Sequence, residues 1–148
     1  MDDSFIGRLA DMNLARFHTL QLNECTIERG STLASLLSSE TLVNLHDFVF
    51  PLFSECELED VIIAFEAMGQ NSSLINLKKL TIIDCSKSYM AVRKLIDVLT
   101  ANEKFATLNF LKLIIAEPFS EEESLKLKAC QYLSGLTVEI YFLSQIYS

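Results

Sequence analysis

The residues of this chain best suited by type to bond-making chemistry are His18, His46 and Asp47. Imidazole and carboxylate groups ligate divalent metals and relay protons near neutral pH, so a metal or acid–base centre is the first possibility to weigh. Each histidine follows the opening residue of an apolar motif that recurs along the chain, Phe17 and Leu45. On neighbouring parallel strands, about 4.8 Å apart, equivalent positions lie side by side. Two polar residues brought together by register account for the pair without a ligand, and no metal is expected. Cys25, Cys56, Cys85 and Cys130 lie 31, 29 and 45 residues apart and form no CxxC pair. That spacing suits neither a dense disulfide framework nor a zinc site. A cysteine nucleophile needs a base within reach, and no histidine stands at a matching repeat position. Buried thiols are expected instead, with Cys25 and Cys85 at turns leaving strands. The acidic groups Asp2-Asp3, Glu55-Glu59-Asp60 and Glu121-Glu122-Glu123 read as solvated helix starts, not as paired catalytic carboxylates. Gly7, Gly30, Gly69 and Gly135 never share a motif, so no phosphate-cradling loop is readable. Neither an enzyme nor a cofactor is expected.

Composition narrows the remaining classes. With 148 residues, half of them hydrophobic and 22% charged, the chain is expected to form one ordered domain. Its 12 basic and 20 acidic residues leave a formal net charge of -8. Nucleic acids and anionic membranes call for a positive surface, so neither is an expected partner. No apolar run reaches the roughly 20 residues that cross a bilayer. The start, Met1-Asp2-Asp3-Ser4, lacks the basic-then-apolar pattern of a secretory signal. A cytoplasmic location is expected.

The elements that would position these side chains are legible as a repeat. Five segments share one spacing: Phe17-x-x-Leu20-x-Leu22, Leu45-x-x-Phe48-x-Phe50, Leu77-x-x-Leu80-x-Ile82, Leu108-x-x-Leu111-x-Leu113 and Leu133-x-x-Leu136-x-Val138. Their starts are separated by 28, 32, 31 and 25 residues. Three positions past each trio stand Cys25, Phe53, Cys85, Ala116 and Tyr141. Between the segments, apolar residues recur at helical spacing over 32–39, 59–70, 90–101 and 121–133, and more weakly over 5–12. Ser31 and Ser88 are expected N-caps, and Ser120 with Glu121-Glu122-Glu123 reads as a capping box.

Strand and helix alternating at this interval imply parallel strands joined by helical crossovers. Strands covered on both faces would be continuously apolar. Here His18, Gln21, Asn23 and Glu24 interrupt the first segment, and Lys78, Lys79, Thr81 and Asp84 the third, so one face is expected to be wet. The LxxLxLxxC-type strand, a full helix and a period near 28 resemble the ribonuclease-inhibitor class of leucine-rich repeats, over about residues 14–141. Such repeats also form the sensing ends of nucleotide-binding immune receptors and the substrate-binding parts of F-box adaptors. The chain departs from the family at Phe53, Ala116 and Tyr141, where Asn or Cys is usual, and at Pro51 inside the second motif. The fold expected is α/β: a leucine-rich-repeat solenoid with five parallel strands on the concave face and helices on the convex face. Residues 1–13 would be a partial leading repeat and 142–148 a short C-terminal end.

The function implied is capture of a protein partner by the concave sheet face. Its central row is expected to hold Gln21, Val49, Thr81, Lys112 and Thr137. The next row would hold Asn23, Pro51, Ile83, Ile114 and Glu139, and a third Glu24, Leu52, Asp84, Ile115 and Ile140. Val49, Leu52, Ile83, Ile114, Ile115 and Ile140 would make an apolar tract of the kind that marks binding surfaces. Two other readings remain open. A flavodoxin-like doubly wound enzyme would place Glu24 and Asp84 at the carboxyl ends of its strands. A structural piece could self-associate end to end, since Tyr141, Phe142, Leu143, Ile146 and Tyr147 crowd the last eight residues without a charged cap. The chain is expected to be a fragment, or the C-terminal end, of a longer receptor or adaptor.

Overall fold

Period-two alternation and period-3.6 amphipathicity take turns along the chain, and the elements follow them. A computed structural model describes residues 3–27, 29–51, 57–83, 89–115 and 120–142. In chain order these form α1 (Asp3–Ala10), β1 (Thr19–Gln21), α2 (Gly30–Leu37), β2 (Asp47–Val49) and α3 (Leu58–Gln70). They continue with β3 (Lys79–Ile83), α4 (Tyr89–Ala101), β4 (Phe110–Ile115), α5 (Glu121–Ala129) and β5 (Thr137–Phe142). Short 3₁₀ turns at Leu42–Asn44, Glu103–Thr107 and Gln131–Leu133 lead into β2, β4 and β5.

The strands make one parallel sheet in the order β1-β2-β3-β4-β5. Register carries one row of apolar residues across it: Leu20, Phe48, Leu80, Leu111 and Val138. Leu22, Phe50, Ile82 and Leu113 are buried beside that row. Each helix touches the next in chain order, α1 on α2 through to α4 on α5. Between helices and sheet lies one core, to which the helices contribute Ile6, Leu33, Leu36, Val61, Phe65, Leu95 and Ile96.

Several local expectations are corrected. The fifth motif is displaced by two residues, because Val138, not Leu136, pairs with Leu111. Leu133 is buried as Leu108 is, but Ser134 and Gly135 form a turn that delays the strand. Helix α5 stops at Ala129 and the chain tightens into a 3₁₀ turn, short of the expected end at 133. Ser31 is not an N-cap: the helix starts at Gly30, with Arg29 before it. Phe17 is exposed, and the buried Leu14 lies one turn earlier. Ser88 lies outside the described residues, whereas the Ser120 hydroxyl accepts from the Glu123 N–H at 3.4 Å as expected of a cap.

Gly30 has a reason of its own. A Cβ there would overlap the backbone of Asp60 in the first turn of α3. The missing side chain lets the two helix starts meet, and the Asp60 carboxylate accepts from the Gly30 N–H at 3.3 Å and the Glu57 N–H at 3.1 Å.

Polar side chains tie each unit to the one before. Asn44 donates to the Ala15 carbonyl at 2.7 Å, Asn76 to Val43 at 2.6 Å, and Thr107 to Leu77 at 2.7 Å. Each donor stands one residue before a motif start. A second set serves the helix ends, where carbonyls lack intrahelical partners. Asn71 donates to the carbonyls of Leu37, the last residue of α2, and of Ser39 just past it, at 2.7 and 2.9 Å. The Lys104 ammonium donates to Met68, Gly69 and Asn71 at the end of α3, at 2.8, 2.8 and 2.6 Å. Tyr132 donates to Leu99 near the end of α4 at 2.7 Å.

Burial pushes the Lys104 pKa below its ordinary value, yet three carbonyls at a negative helix end hold the cation. Lys104→Met removes charged hydrogen bonds and is expected to lower stability by roughly 1.5–3 kcal/mol, read from urea unfolding. The Tyr132 hydroxyl is pushed up to about 12, first by burial and then by Cys130. A raised folded pKa means stability present below the unfolded value of 10.0 and lost as pH rises toward about 12. Tyr132→Phe is therefore expected to flatten the loss of stability between those pH values in alkaline denaturation curves.

Candidate protein-binding surface

Strand pleating sends alternate side chains to opposite faces, and burial follows that alternation most plainly in β4. Leu111, Leu113 and Ile115 are buried toward the helices, while Phe110, Lys112 and Ile114 are half-exposed on the other side. Paired register extends the second set into rows across the sheet. One row is Thr19, Asp47, Lys79, Phe110 and Thr137; the next is Gln21, Val49, Thr81, Lys112 and Glu139. At the carboxyl ends of the strands Ile83, Ile114 and Tyr141 are aligned, with Pro51 two residues past Val49.

Of the residues expected on this face, Gln21, Val49, Thr81, Ile83, Lys112 and Ile114 stand on it together. Asn23 is exposed in the turn after β1, beyond the paired residues. Thr137 is on the face but two residues from its expected place, because the turn at Ser134 and Gly135 puts Glu139 opposite Lys112. Ile140 is corrected: it pairs with the buried Leu113 and packs on the core. Ile115 is buried too, 2% exposed. The expected row that holds them lies four residues past the inward-facing row of Leu111, an even spacing that alternation returns to the core side, whereas the adjacent Ile114 points outward. Thr81 is 7% exposed, closed in between neighbouring strands. Leu52, Asp84, Cys85 and Cys56 lie outside the described residues.

The face also holds Phe110 and Tyr141, which the expected rows did not include, each beside a lysine. The Lys79 ammonium lies 5.2 Å from the Phe110 ring centroid, and that of Lys112 lies 5.2 Å from the Tyr141 ring. Such cation–aromatic pairs hold long side chains against the sheet. The Tyr141 hydroxyl donates to the Glu139 carboxylate at 3.1 Å. That hydrogen bond and the nearby negative charge raise the pKa of the tyrosine. Moving the fifth motif by two residues is the signal that would have added Tyr141 to the face and moved Glu139 from the row of Ile114 to that of Lys112.

At the amino ends of the first two strands the His18 and His46 rings lie 5.1 Å apart, the adjacency expected from register. Among the described residues no three His, Cys, Asp or Glu side chains gather as a metal site. One Asp47 carboxylate oxygen is buried without a hydrogen-bond partner among the described residues. Cys25 is buried, as expected, and Cys130 is half-buried. No helix among the described residues is long and apolar enough to cross a membrane.

The surface thus grades from polar at the amino ends of the strands to apolar at their carboxyl ends. That arrangement can cover an apolar ridge on another macromolecule and fix its orientation with Lys112 and Glu139. No protein-family model matches the chain, and no curated protein matches it.

Glu139→Gln removes the charge that opposes ionisation of Tyr141. The tyrosine is expected to titrate closer to 10.0, measured by alkaline ultraviolet difference absorbance with Tyr141→Phe as the subtraction control.

Proposed function

We propose that this chain is a leucine-rich-repeat array of the ribonuclease-inhibitor type, and that its open sheet face captures a partner protein. The observation that carries the proposal is order. Strands run β1 to β5 in chain sequence, and helices touch one another in the same sequence. Repeating one right-handed strand–helix unit stacks all helices on one side and leaves the other side of the sheet bare. Doubly wound enzymes reverse strand order at a switch point, where the ligand sits. This sheet has no reversal, which favours recognition over a nucleotide-type catalytic cleft.

The partner is a protein by the chemistry of the face. Phe110, Ile114 and Tyr141 offer apolar and aromatic contact, and Lys112 and Glu139 supply opposite charges beside it. Aromatic anchors such as tyrosine carry much of the binding energy in protein interfaces, and charges beside them fix register and orientation. With a net charge of -8, the chain attracts basic partner surfaces more readily than acidic ones.

Parallel affinity captures with the intact chain test the assignment. Lys112→Glu and Ile114→Asp are expected to weaken retention of the same partner by roughly tenfold or more, the scale of an interface hot spot. Arg8→Glu, on the exposed side of α1, is expected to retain it. Retention by both sheet variants and loss in the helix variant would place the binding surface elsewhere.

A further inference from the structure

A different surface, the β5 end of the stack, has its own chemistry. Strand β5 is last in the sheet order and pairs only with β4 among the described residues. Beside it opens a cleft of about 490 Å³, walled by Leu127, Leu133, Leu136, Val138 and Ile140. These are core side chains with nothing from a sixth unit packed on them among the described residues. The rim of the cleft is formed by Ser124 and Lys128 of α5. Other positions of α5 are committed to α4: Glu122 and Glu123 approach Arg93 at 3.9 and 4.0 Å, and Lys126 pairs with Asp97. Glu121, Ser124 and Lys128 share the opposite stripe of the helix, at spacings of three and four residues.

We infer that a second copy of this chain docks on this end, pairing β5 with β5 antiparallel and α5 with α5 about a twofold axis normal to the sheet. The residues on both elements are self-complementary under that axis. For the two cores to merge, core-facing residues of one β5 must stand opposite core-facing residues of the other. Two central registers satisfy this. One sets Glu139 against Glu139, where like charges repel. The other sets Ile140 against Ile140, Val138 against Phe142, and Tyr141 against the partner's Glu139, all compatible pairs. The second is therefore the register chosen. Ser124 lines the same cleft as Ile140, so the twofold is placed near Ser124 on the helices, where it brings Lys128 of one copy to Glu121 of its partner, twice. The interface is then apolar in the centre and locally neutral at its rim. That is how it overcomes mutual repulsion between chains of net charge -8.

Sedimentation equilibrium of the full chain, with hydrogen exchange at low and high protein concentration, tests the inference. The expected result is a reversible rise from 16.7 kDa to twice that mass, with β5 amides gaining protection as the mass rises. Lys128→Glu turns two ion pairs into repulsions and is expected to weaken association roughly tenfold or more. The charge swap Glu121→Lys with Lys128→Glu is expected to restore it. Both residues are exposed, and circular dichroism of each variant confirms that it is folded. A monomer at every concentration, growth beyond two copies, a dimer without β5 protection, or a swap that fails to rescue would each overturn the assignment.

Discussion

At the ends of α2, α3 and α4, carbonyl groups that their own helix leaves without a partner are met by side chains of the next repeat. Every helix end leaves acceptors bare, and here partners for three of them come from the following unit: Asn71 for α2, Lys104 for α3 and Tyr132 for α4. The donors differ in chemistry, yet each reaches back about one repeat. Three carbonyls ahead of the strands are met in the same way by Asn44, Asn76 and Thr107. A buried carbonyl without a donor costs on the order of 1–3 kcal/mol. One unit is therefore incomplete without the next, and apolar burial between units acts on the same boundary. Contacts between helices and between strands likewise join each unit to its neighbours in the chain.

That constraint also shapes the open face of the sheet. Successive units are held in one relative placement by backbone pairing on one side and by these side-chain ties on the other. Residues one unit apart then come into rows whose membership follows from register alone. Lys112 lies beside Thr81 and Glu139 because the strands pair, although the three are far apart in sequence. A face assembled in this way has its side chains anchored to a paired backbone, the kind of preorganisation that would lower the entropy cost of the proposed capture. The cation–aromatic pairs on it add to that order by restraining two lysines.

Much of this was legible in the residues. The apolar trios located the strands because their period is short and their members are large, and four of the five fell in register. The adjacency of His18 and His46 followed from the same spacing. The fifth trio misled because Leu133, Leu136 and Val138 fit the motif by type while Ser134 and Gly135 add two residues of turn. Leu133 is buried in its own right, so hydrophobicity could not reveal the shift; the alternation of Thr137, Glu139 and Tyr141 with Val138, Ile140 and Phe142 could. Helix starts were harder. Gly30 begins α2 for a reason lodged in Asp60, thirty residues away, and no local capping rule contains it. The tying side chains were invisible for a related cause: Asn, Thr, Lys and Tyr share no type, only a geometry.

The two surfaces of this fold ask different things of sequence. The open sheet face tolerates variety, since its side chains project outward from a backbone already fixed by the core rows. Its polar-to-apolar gradient, from Thr19 and Asp47 toward Ile83, Ile114 and Tyr141, is set by residues that the core does not constrain. The end of the stack has no such freedom. Val138 and Ile140 must be apolar to pack on Leu113 and the helices, so whatever meets them must bury them. A side chain there cannot become polar without weakening the unit that carries it. In the proposed pairing of two copies, specificity at that end comes from strand register and from the charges on the α5 rim, where Glu121 and Lys128 lie outside the core and Glu139 disfavours one of the two registers.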